Sequence, residues 1–119
     1  MSSFANQPLQ DCISLCWQCR NECQKTLFGH CLVKGGEHTE LDHVKLMADC
    51  IEICQTAADF MVRRSDWHAS VCNACADVCE ACAKSCERFQ DDTMQDCADL
   101  CHRCADMCRR MSNERRQAA

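Results

Sequence analysis

Sixteen cysteines in 119 residues lie far above ordinary usage and call for bonds to something, while one Pro and three Gly supply too few turns for a strand-rich sandwich or a knottin. Thirteen Lys plus Arg against 18 Asp plus Glu give a formal charge of −5, so nucleic acid is not an expected partner. No apolar run approaches the roughly 20 residues of a membrane span. Four segments of helical length follow between short breaks. The first begins at Pro8, a residue suited to a first helical turn, and is expected over 8–33, ended by Gly35–Gly36. Thr39 is the expected cap of the second, over 40–64, with Asp42 three residues on. Ser65 or Asp66 caps the third, over 67–88. Asp91 or Asp92 caps the fourth, over 93–113, and the tail beyond is expected to fray. Short connections between long helices predict one all-α domain over 1–119, an antiparallel up-down-up-down four-helix bundle.

At 100° per residue the cysteines form stripes. In the first helix Cys12, Cys16, Cys19 and Cys23 fall within about 60° of arc, and in the third Cys72, Cys75, Cys79, Cys82 and Cys86 fall within about 80°. In the fourth, Cys97, Cys101, Cys104 and Cys108 repeat the 4-3-4 spacing of the first. The second carries only Cys50 and Cys54, and its stripe continues through His43, Met47, Ala57 and Met61. Charges occupy the opposite faces: Arg20, Glu22 and Lys25, then Glu80 and Lys84, then Asp99 and Arg103. The cysteine stripes are therefore the buried ones, and fifteen of the sixteen thiols line one interior channel. Cys31 lies about 80–100° off its stripe, and its place stays open.

A whole core of thiols forfeits apolar volume wherever Leu would stand, so simple packing does not explain it. Neighbours at i,i+3 and i,i+4 have Cβ atoms about 5–6 Å apart, too wide for a disulfide, which wants roughly 3.5–4.5 Å. Ferredoxin-type clusters place a Pro after a ligating cysteine, and no cysteine here precedes Pro. Thiolates favour Cu(I) and Zn(II), and charge separates these two. Sixteen thiolates carry −16. Four zinc ions in Cys₄ sites leave −8 in a closed core, whereas one Cu(I) per cysteine leaves none, and unpaired buried charge is very costly. Many Cu(I) ions, about one per cysteine, are the expected cargo. Zinc or cadmium binding, or a thiol redox reservoir, is the alternative. No lone exposed cysteine beside a basic group marks a nucleophile, and no Ser/His/Asp or paired-carboxylate set appears, so no enzyme is expected.

The repeated CxxxCxxCxxxC stripes, the cysteine-poor second helix with its His and Met, and the chain length resemble the bacterial copper storage proteins from about Cys12 to Cys108. The resemblance implies a preformed bundle holding many Cu(I) ions, usually as a homotetramer, with a role in copper homeostasis. The N-terminal MSSFANQPLQDC has no basic or apolar leader and no twin arginine, so the cytoplasm, where thiols stay reduced, is the expected location. This resembles the cytosolic branch of the family.

Antiparallel packing gathers His30, His43, Met47 and Met94 at one end, near His38 and Cys31. His30 is expected on the inward stripe of the first helix. Together with the thiols these four are the expected metal ligands, and this end is the expected copper mouth, though methionines that only plug the bundle are the plain alternative. Met61, His68 and Met111 lie at the other end, with His68 expected to face inward. His102 is expected to point outward. The cluster Arg109, Arg110, Arg115 and Arg116 is expected to serve the helix dipole. Ile13, Trp17 and Phe28 on the first helix, with Val44, Ile51 and Val62 on the second, flank the cysteine face as packing or oligomer contacts.

Overall fold

A computed structural model describes residues 7–118, with side chains described through 113. Helix α1 spans Gln7–Thr26. It continues through a π-helical turn, Leu27–Cys31, and one last α turn, Leu32–Lys34. A 3₁₀ turn, Gly36–Thr39, leads into α2, Leu41–Val62. Helix α3 spans His68–Cys86 and α4 spans Asp92–Ala118. The last helix thus runs past 113 instead of fraying there. The side chains of Arg115 and Arg116 lie outside the described residues.

Local chemistry sets the ends of these elements. Gly35 and Gly36 both have positive φ, +75° and +58°, a conformation that a Cβ penalises, and they reverse the chain after α1. Thr39 does not cap α2: its hydroxyl donates to the Gly36 carbonyl at 2.8 Å and closes the 3₁₀ turn, leaving Glu40 at the helix start without a side-chain cap. Ser65 Oγ accepts the Trp67 N–H at 3.1 Å just before α3. Asp91 is the cap of α4, its carboxylate accepting the Met94 N–H at 3.0 Å. Helix α2 ends in a Schellman motif, with Ser65 N–H on the Phe60 carbonyl and Arg64 N–H on the Met61 carbonyl. Arg64 holds the left-handed position with φ +55°, which glycine usually occupies.

Each helix packs against its two neighbours in the order α1, α2, α3, α4 and back to α1. Contacts between them run in opposite chain directions. Cys12 meets Cys108 while Cys23 meets Cys97. Cys31 meets His43 while Cys19 meets Cys50. Met47 meets Cys86 while Cys54 meets Cys75. Arg109 meets Asp77 while His102 meets Glu87. The result is an antiparallel four-helix bundle about 50 Å long. Arg109 also bonds Glu80 at 3.2 Å, so it ties α4 to α3 across the surface as well as sitting late in its helix.

The interior is unusual for such a bundle. All sixteen cysteines are buried as free thiols. Among the described residues, the buried apolar side chains around them are six alanines, four methionines and only Ile13, Leu27, Phe89 and Leu100. Ile13 therefore faces the core, while Trp17, Phe28 and Val62 are exposed. A buried Leu contributes roughly 1.5–3 kcal/mol that a thiol does not fully match, so the apo bundle is built with less apolar driving force than its length allows.

Candidate metal centre

The stripes of α1, α3 and α4 meet the two cysteines of α2 along the bundle axis. Neighbouring sulfurs lie 3.5–3.9 Å apart at Cys16–Cys108, Cys23–Cys101, Cys54–Cys79 and Cys19–Cys50. Four groups of four sulfurs each fit within 4.8 Å: Cys16, Cys75, Cys104 and Cys108; then Cys54, Cys75, Cys79 and Cys104; then Cys19, Cys50, Cys54 and Cys79; then Cys19, Cys23, Cys50 and Cys101. Distance alone does not choose the metal, because a tetrahedral zinc with bonds of 2.3 Å has sulfurs about 3.8 Å apart. The sharing does bear on it. Each group gives two thiols to the next, so four tetrads are made from ten cysteines. Separate tetrathiolate sites would need four apiece. A ladder with common rungs suits bridging thiolates and a row of ions.

Electrostatics fits the same picture. Cys12, held by a hydrogen bond with Cys108, is shifted down in pKa, and Cys16, bonded to Cys104 and Cys108, is shifted up. Burial pushes both upward. One thiol can ionise only where its neighbours keep their protons, since adjacent bare thiolates in a dry core repel strongly. Full deprotonation of the ladder requires cations within it.

Beyond the ladder the donors change. His43 is buried, with Nε2 3.5 Å from Cys31 Sγ and Nδ1 2.8 Å from Ser85 Oγ. Burial lowers its pKa, with Arg88 and His38 adding to that, so it is held neutral. With Nδ1–H donating to Ser85, the Nε2 lone pair is free for a soft ion, and the serine is the outer-shell partner that fixes the ring. Met47 Sδ lies 3.4 Å from Cys86 and 3.7 Å from Cys82, and Met94 Sδ lies 3.6 Å from Cys31. Burial pushes Cys31 up to about 11, with the charges of Cys97 and Asp91 acting the same way.

Two placements differ from a straight helical wheel, and one cause explains both. The π-helical turn at Leu27–Cys31 inserts an extra residue, which turns everything after it back by about 100°. Cys31 swings into the channel. His30 swings out of it, and its Nε2 lies 3.0 Å from Asp91 instead. His30 is therefore not on the inward stripe. Ser85 and Asp91 were legible only as a polar residue beside Cys86 and as a helix cap. At the other end Met61 and Met111 are buried, and His68 is partly buried with Nδ1 2.8 Å from the Ser65 carbonyl. His102 lies on the surface, 3.1 Å from Glu87.

Residues 5–113 match the family described as Copper storage protein. The chain belongs to that family. Copper storage proteins also stand among its structural neighbours. A crystal structure of the Nmul_A1745 protein from Nitrosospira multiformis is 46% identical, with a TM-score of 0.87, over 92% of this chain and 98% of that one. The Cu(I)-bound copper storage protein BsCsp3 is 32% identical, with a TM-score of 0.82, over 88% and 98%. Apo copper storage protein 3 from Bacillus subtilis is 31% identical, with a TM-score of 0.78, over 87% and 97%. No curated protein sequence matches the chain.

Proposed function

We propose that this protein stores Cu(I), many ions per chain, on the thiolates that line its bundle. The observation that carries the reading is the ladder of tetrads sharing cysteines, which suits a chain of bridged monovalent ions; with one such ion for each of the sixteen cysteines, the buried negative charge is balanced. The Cu(I)-bound relative of the same fold supports the choice of ion. All sixteen cysteines, with His43, Met47 and Met94, are the proposed ligands. The last three and Cys31 form the mouth, a place where neutral donors pass copper into the store without altering its charge. His30 belongs to this end but faces Asp91 outside the channel. The sixteen free thiols suit a reducing compartment, and the cytoplasm is the proposed location. Exposed Trp17, Phe28, Leu41 and Trp67 suit assembly with other copies of the chain, and a homotetramer is the proposed state. A storage role needs no catalytic group, and none is assigned.

Anaerobic titration with Cu(I) against a competing chelator tests this. The expected capacity is near sixteen ions, one per cysteine. Saturation at about four ions, with zinc held as tightly as copper, would replace the store with separate tetrathiolate sites.

A further inference from the structure

The same backbone event that removes His30 from the channel brings it into a second constellation. His30 leaves the π-helical turn, His38 leaves the 3₁₀ turn after Gly35–Gly36, and both rings converge on Asp91 at the start of α4. His30 Nε2 is 3.0 Å from Oδ1, and His38 Nε2 is 2.9 Å from Oδ2. The three donor atoms all lie within 4.8 Å of one another. All three side chains are partly open to solvent, at 24%, 12% and 25% exposure.

We infer that His30, His38 and Asp91 form a second metal site, outside the thiol channel, for one divalent cation of borderline softness such as Zn(II) or Cu(II).

The donor set carries the class of ion. Two imidazoles and a carboxylate suit divalent zinc, copper and nickel, whereas the channel is built of the sulfurs that Cu(I) prefers. The spacing carries the fit. Two ligands 2.0–2.1 Å from one ion lie about 2.9 Å apart at a right angle and about 3.4 Å apart at the tetrahedral angle. The two N···O distances, each to a different carboxylate oxygen, are close to the first value, and the three donor atoms already lie within the span that one ion's ligands occupy. Each Nε2 then offers its lone pair in place of a hydrogen, with the ring proton carried on Nδ1. Water reaches the partly exposed side and fills the remaining positions.

Helix capping does not account for the arrangement. Asp91 already caps α4 through the Met94 N–H, and that bond needs neither histidine. The His38 ring packs on Phe89, with centroids 4.1 Å apart, and the same phenyl group also neighbours His43 at 5.0 Å. Phe89 is buried. Phe89 thus packs against both His38 and His43, while the imidazole–carboxylate group shares no donor with the thiol tetrads.

The test uses the full chain, first loaded with Cu(I) so that the thiols are occupied, then titrated with Co(II) and, separately, with Zn(II). Cobalt is expected to give weak visible bands for about one ion per chain without the intense charge-transfer band of a cobalt thiolate. Zinc is expected to move the imidazole nitrogen resonances of His30 and His38 together. His30→Gln and His38→Gln should each weaken binding at least about tenfold, the loss that even an outer-shell change brings. The nitrogen resonances report on these two rings whether or not the channel accepts Cu(I), and copper uptake is measured beforehand, so failure of the store and failure of this site are read separately. Resonances of His30 and His38 that stay in place under excess zinc overturn the inference. So does a cobalt affinity equal in wild type and both variants.

Discussion

The middle of the channel and its mouth are made from the same four helices but from different donors. In the middle the donors are thiols alone, and consecutive tetrads share members, as Cys19 and Cys50 do with Cys54 and Cys79 on one side and with Cys23 and Cys101 on the other. At the mouth a thiol is joined by neutral groups, His43 and Met94 beside Cys31, and Met47 beside Cys82 and Cys86. A thiolate ladder gains a charge for every proton it loses and must be filled by cations to stay neutral. Imidazole and thioether gain none, so an ion can stop there and leave again. On the proposed reading, capacity belongs to the middle and exchange to the mouth.

The largest effect should come from filling the middle. The apo core has few large apolar groups, and ions that bind only the folded ladder stabilise it by mass action. Saturation with Cu(I) is expected to raise the thermal midpoint by at least about 10 °C, a few kcal/mol for a chain of this size. Circular dichroism should show the helices already formed before loading. A gain of helix on loading would mean that the metal builds the bundle.

Loading should also release protons, because burial and neighbouring thiols keep protons on the apo ladder that Cu(I) binding must displace. About one proton per cysteine is expected at saturation in weak buffer, read with a pH indicator. Release of far fewer would mean that much of the ladder is already ionised when empty.

At the mouth, His43→Ala with Met47→Leu should slow copper transfer to a chelator about tenfold, an outer-shell-sized loss or larger, and leave capacity nearly intact. The control is the other end, with His68→Ala and Met61→Leu. Stopped-flow exchange that slows only in the control would reverse the assignment of the mouth. His43 also leaves a pH signature in the apo protein. Burial holds its folded pKa below the ordinary value, so the unfolded chain takes up the proton first, and stability falls as the pH drops below about 6.5. His43→Gln should flatten that slope in denaturant melts.

The smallest effect separates the frame from the chemistry. Arg64→Gly, at the left-handed end of α2, should stabilise the apo bundle by about 1 kcal/mol. Copper capacity and exchange should not change.

Most of the middle was legible in the sequence, because 4-3-4 spacing on a regular helix fixes which way a side chain points. Cys16, Cys79 and Cys104 needed no more than that. The mouth was legible only in part. His43 and Met47 lie on a regular helix and fell where the wheel put them, but Cys31 and His30 exchanged roles across a π-helical turn that leaves no mark in the residue pattern. Ser85 joins His43 through space from another helix. Thr39 had the chemistry of a helix cap, but the 3₁₀ turn behind it offered a nearer carbonyl.

The thiols of the middle are proposed to be shared between ions. X-ray absorption at the copper edge of the half-loaded protein tests this sharing directly. Shared thiolates predict copper surrounded by sulfur alone, with a second copper scattering at short range even before the channel is full. Copper with sulfur neighbours and no nearby copper would contradict the account and return the ladder to a row of independent sites.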